Sequence, residues 1–112
     1  MLKTTLGITV LVAGLAAPLA AQDAAQIEQG KKVYAAQKCQ MCHSIAGKGG
    51  KTFPLDGVGA KLSAADIRQC ITHPKEAATK ANSTKKPPMQ AKYKSLSAGD
   101  LDALVAYMQS LK

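Results

Sequence analysis

Cys39-Gln40-Met41-Cys42-His43 constrains this chain more than any other stretch. Two thiols three positions apart, with an imidazole directly after the second, match the c-type haem attachment pattern. Each thiol can add across one vinyl group of a haem to give a thioether, which holds the following imidazole beneath the iron. Tether and ligand then arrive as one unit, while axial ligand identity, burial and nearby hydrogen bonds set the redox behaviour. The same Cys-x-x-Cys spacing also serves a thioredoxin-like dithiol, half of a zinc site or a local disulfide. A redox dithiol opens a helix after a strand in an α/β domain, and no βαβ pattern is present here. A tetrahedral zinc site needs donors beyond the motif; only Cys70 and His73 are on offer, and on paper they complete it.

The N-terminus places the chain outside the cytoplasm. Met1-Leu2-Lys3 is a positive start, Leu6 to Ala17 carries no charge, and Pro18 to Asp23 supplies small residues before a polar segment. This is the pattern of a secretory signal peptide, with cleavage expected after Ala21. A retained anchor is the alternative, but a membrane span needs about 20 apolar residues and this run is shorter. With residues 1–21 removed, residues 22–112 form one small domain. A core of that size is marginal alone, and a covalently bound apolar macrocycle would add the buried surface it lacks. Lys3 leaves with the signal, so 14 Lys+Arg face 7 Asp+Glu, a formal charge of +7. Such a surface favours acidic partners. Nucleic acid is excluded because the chain is exported and its lysines are not interleaved with aromatics in any binding module.

Along the mature chain the apolar spacing is helical. From Ala24 to Lys38, Ile27, Gly30, Val33 and Tyr34 share one face. Gly30 costs about 1 kcal/mol relative to alanine in mid-helix, which predicts a close helix crossing there. Ser44 to Leu62, rich in glycine and lysine, reads as a loop that wraps something. Within it Pro54 presents a free carbonyl that can accept the second ring N–H of His43; an ordinary turn proline reads the same way. Ser63-Ala64-Ala65-Asp66 is a capping box with Asp for Glu, opening a helix to about Thr72 before Pro74. Lys75 to Pro88 reads as polar loop with at most a helical turn over 76–80. Ser97-Ala98-Gly99-Asp100 caps the clearest helix, in which Leu101, Leu104, Val105, Met108 and Leu111 line up. No strand signal and no internal repeat is present.

The chain has four methionines from which a ligand for the far face of the iron could come. Met1 leaves with the signal, Met41 lies on the tethered side, and Met108 falls on the apolar stripe of the last helix. Met89 remains, in Pro87-Pro88-Met89, where two fixed φ angles keep the segment extended. A thioether opposite the histidine raises the potential and leaves no site for substrate. A surface methionine is the competing account of Met89.

These residues together resemble a short bacterial class I cytochrome c with a single haem, over essentially the whole mature region. The likeness is carried by Gly30-Lys31-Lys32-Val33-Tyr34, the Cys39 to His43 motif, Pro54-Leu55-Asp56-Gly57-Val58-Gly59, a methionine after prolines, and Leu104-Val105-Ala106-Tyr107-Met108. The resemblance implies an all-α fold wrapped around one haem c bound through Cys39 and Cys42. It implies first and last helices crossing at Gly30 and Tyr34 against Leu104 and Tyr107, and a Pro54 carbonyl given to His43. Two departures stand out: Phe53 where a glycine commonly precedes that proline, and Cys70 where the middle helix often has an aromatic or aliphatic residue.

Cys70 is the odd thiol of an exported chain and reads as a small hydrophobe beside Ile67, with an intermolecular disulfide or a sensing thiol as alternatives. His73 reads as a helix-end residue. The expected function is a periplasmic, monomeric electron carrier with His43 and Met89 as axial ligands and no catalytic residues. It exchanges electrons with acidic donor and acceptor proteins and has no stable membrane insertion after cleavage. A haem subunit of a larger oxidoreductase, a haem enzyme or gas sensor with an open distal face, and a zinc module are the alternatives.

Overall fold

The computed structural model describes residues 19–112. The expected signal segment therefore lies outside the described residues up to position 18. Among the described residues five helices dominate: α1 Leu19–Ala36, α2 Val58–Lys61, α3 Ala64–Thr72, α4 Pro74–Lys80 and α5 Ala98–Ser110. Short 3-10 turns cover Cys39–Met41 and Ala91–Ser95. Among the described residues no helix is long and apolar enough to cross a membrane.

Helix starts follow the side chains that the sequence supplies. The Ser63 hydroxyl accepts from the Asp66 N–H at 3.1 Å and the Ser97 hydroxyl from the Asp100 N–H at 3.2 Å, so both caps form as read. Helix α4 is longer than the turn expected at 76–80. It begins at Pro74, whose missing N–H costs nothing at a first helical position, so the proline that stops α3 also starts α4.

The core joins α1, α3 and α5 through Val33, Ile67, Ile71, Leu104, Val105 and Met108. Helix α1 crosses α5 at Gly30. A Cβ there would collide with the Ala103 backbone carbonyl and lie 2.6 Å from the Tyr107 Cβ, so only glycine fits. Beside it the Tyr34 and Tyr107 rings meet edge-to-face, centroids 5.7 Å apart at 89°. The crossing expected at Gly30 and Tyr34 is present, with Ala103 as the backbone that the glycine admits.

The segment after the motif corrects the expectation of a strandless loop. Strands β1 His43–Ile45, β2 Lys48–Gly49 and β3 Phe53–Pro54 form a small sheet in the order β2-β1-β3. Their brevity hides them from any test of alternation, and they exist because the chain folds back on the motif. The Gly50 N–H donates to the Gln40 carbonyl at 2.9 Å. Gly49 adopts a φ of 111°, and a side chain there would strike the carbonyls of His43 and Gln40. The C-terminus closes the loop at its other end, where the Gly59 N–H donates to the Leu111 carbonyl at 2.8 Å and the Lys112 ammonium to the Gly59 carbonyl at 3.2 Å.

Candidate functional site: a tethered porphyrin cavity

Lys38 turns the chain out of α1 with a left-handed φ of 57°, and the 3-10 turn that follows carries Cys39 and Met41. Cys42 and His43 come next, with His43 as the first residue of β1. A cavity of about 460 Å³ opens against this turn, a volume within the range of about 300–1,000 Å³ usual for cofactor sites. Cys39, Cys42, His43 and Met89 all line it, and Phe53, Tyr93, Pro87 and Pro88 extend its walls. The structure thus brings together four of the five site residues expected from sequence. Met108 is 6% exposed in the core, whereas Met41 is 73% exposed at the cavity mouth.

Pro54 is the fifth, and here the structure corrects the sequence. The carbonyl on His43 is that of Phe53, 3.0 Å from Nδ1; Pro54 is exposed and does not line the cavity. Register is the cause: β1 and β3 run parallel with His43 opposite Phe53 and Ser44 opposite Pro54, which leaves the Phe53 carbonyl beneath the ring. Because a carbonyl oxygen only accepts, Nδ1 carries the proton and Nε2 keeps a free lone pair. The Phe53 ring also meets the imidazole, with centroids 5.9 Å apart at 60°. The Tyr34 hydroxyl donates to the His43 backbone carbonyl at 3.5 Å. Burial pushes the Tyr34 phenol up to about 12, so it stays a neutral donor.

Burial likewise pushes the Cys39 thiol up, with the Lys92 ammonium opposing that shift. None of the three cysteines is paired in a disulfide, so the local disulfide is not formed. Cys70 and His73 lie at the far end of α3. Among the described residues no group of three or more His, Cys, Asp or Glu side chains is placed to hold a metal ion. The zinc alternative therefore has no donor set. The Cys70 thiol is half-buried rather than fully in the core; burial and then the Asp66 carboxylate raise it, which disfavours the reactive thiolate. The His73 ring lies 2.9 Å from the Thr72 hydroxyl.

Phe53 and Tyr93 are aromatic lining residues that sequence reasoning did not place at the site. Phe53 was visible only as a departure from a family pattern. Tyr93 and Lys92 reach the wall through the 3-10 turn Ala91–Ser95, which no periodicity marks.

An all-α fold with two thiols, a proton-fixed imidazole and a thioether around one cavity defines a protein built to hold a covalently tethered porphyrin. The chain belongs to the cytochrome c family, whose model, described as Cytochrome c, matches residues 27–112. It is a class I c-type cytochrome, and it takes haem c through Cys39 and Cys42. No curated protein and no solved structure matches the chain. The donor set and the cavity fit that group, and haem-based electron transfer is the activity that the family brings.

Proposed function

We propose that this cytochrome is an exported, periplasmic electron carrier that holds its haem between His43 and Met89 and docks acidic redox proteins. The observation that carries this reading is that Met89 lines the same cavity as Cys39, Cys42 and His43. When bound, haem supplies one-electron chemistry between ferric and ferrous iron. The chain does the rest. Cys39 and Cys42 tether the group, and the Phe53 carbonyl fixes the His43 tautomer so that Nε2 is the ligand atom. Met89 would offer its thioether as the second ligand and leave no vacancy for a substrate, and Phe53, Pro87 and Pro88 line the same cavity. No catalytic residue is required, and residues 1–21 direct export.

The test is whether the ferrous holoprotein takes up carbon monoxide. An electron carrier with both axial positions filled shows the same visible spectrum with and without the gas. Rapid uptake by the parent protein would transfer the reading to a gas sensor or a haem enzyme.

Lysines surround the cavity. Lys38 and Lys92 line it, and Lys86 and Lys94 are exposed on the segments that carry and follow Met89. With a mature charge of +7 they set up a positive field that orients an acidic partner. Such steering is screened over about 10 Å at 0.1 M salt. Electron transfer to an acidic redox protein is therefore expected to slow as ionic strength rises. The Lys86→Glu, Lys94→Glu double variant should slow it on the order of tenfold at low salt, part of the roughly 10–10³-fold that steering can supply. Stopped-flow rates across a salt series decide it, and a rate that is flat with salt removes the docking proposal.

A further inference from the structure

Phe53 and Lys85 connect the two sides of the cavity. The Phe53 carbonyl accepts from His43 Nδ1 and its ring packs against the same imidazole, so this residue belongs to the histidine side. Over that ring lies the Lys85 ammonium, 5.7 Å from the centroid, within the reach of a cation–π contact. Lys85 stands four residues before Met89, and Pro87 and Pro88 between them have fixed φ angles, so the position of one is passed to the other. Residues 81–88 are all exposed, and the hydrogen bonds of this stretch among the described residues are local: the N–H groups of Ala81, Asn82 and Ser83 donate to the Ala77, Thr79 and Ala78 carbonyls at 3.0, 3.1 and 2.9 Å, and the Lys85 N–H to the Ser83 hydroxyl at 3.4 Å. None of them ties it to the histidine side.

We propose that the Lys85–Phe53 contact is a latch that holds the Met89 segment to the His43 side and so sets how readily an outside ligand displaces Met89. Lys85 and Phe53 are positioning residues in this scheme, acting through Met89. The proposal rests on Met89 as an axial ligand. It gives Phe53, the departure from the family pattern, a role that a glycine could not fill, because only an aromatic face attracts the ammonium.

The experiment measures imidazole binding to the ferric holoprotein by visible spectroscopy, well below the unfolding temperature. Lys85→Gln and Phe53→Leu should each raise imidazole affinity about two- to fivefold, the equivalent of one exposed cation–π contact. The double variant should gain no more than either single one, since both remove the same contact, and Lys85→Arg should match the parent. Singles that bind imidazole as the parent does, or effects that multiply in the double variant, overturn the latch, even if thermal stability falls. In a Met89→Ala background, Lys85→Gln should change nothing further. If Met89→Ala itself leaves imidazole affinity unaltered, it is the ligand assignment that fails.

Discussion

The Met89→Ala variant is expected to bind carbon monoxide, which the parent refuses, to bind cyanide more tightly and faster than the parent, and to have a reduction potential lower by on the order of 0.1–0.3 V. Axial ligands span about 0.8 V among haem proteins, and a thioether opposite histidine sits toward the high end. Alanine removes that sulfur and leaves water or an added ligand to fill the position. The effect should be confined to the site, because Met89 lies on the cavity wall and outside the core cluster. Met108 is the control, since it is buried at 6% exposure among Val105, Leu104 and Ile71. Met108→Ala should cost about 2–5 kcal/mol of stability through lost burial and a cavity, with the spectrum unchanged. Unaltered spectra and potential in Met89→Ala would sink the ligand assignment while leaving the thioether tethers untouched.

Gly30→Leu should destabilise the protein although leucine is the better helix former. Propensity alone favours the change by about 1 kcal/mol. Against it stands the crossing, where the first added carbon meets the Ala103 backbone carbonyl and the Tyr107 Cβ at 2.6 Å. A backbone carbonyl cannot rotate away as a side-chain tip can, so α1 must separate from α5. Overpacking of this kind costs about 1–3 kcal/mol and occasionally more. Each kcal/mol lowers the midpoint of a domain this size by roughly 4–8 °C. Separating the helices also disturbs the Tyr34–Tyr107 edge contact, and Tyr34 reaches the His43 carbonyl. Thermal melts of the holoprotein followed by circular dichroism are the measurement. A melting temperature equal to or above the parent's would show that the crossing does not constrain residue 30.

Both positions stand out in the sequence, residue 89 by elimination among methionines and residue 30 as a glycine within a helical pattern. Other features do not. The Pro54 reading failed by one residue because a parallel register, His43 opposite Phe53, is set by how β1 and β3 meet and leaves no trace in composition. Helix α4 was hidden because Pro74 acts as a stop for one helix and a start for the next, and local sequence does not rank the two roles. The strands escaped because two or three residues are too few to show a period.

The covalent chemistry and the local starts and stops are written in the residues themselves. The thiol spacing, the adjacent imidazole, the Ser63 and Ser97 caps and the apolar stripe of α5 are short-range relations, fixed by bonds and by backbone geometry within a turn or two. Which carbonyl holds His43, which backbone Gly30 admits and whether Lys85 reaches the Phe53 ring follow from how distant segments pack. Each of these joins segments that lie far apart in the chain. A contact of that kind depends on the register and packing of both partners at once, which neither segment encodes alone.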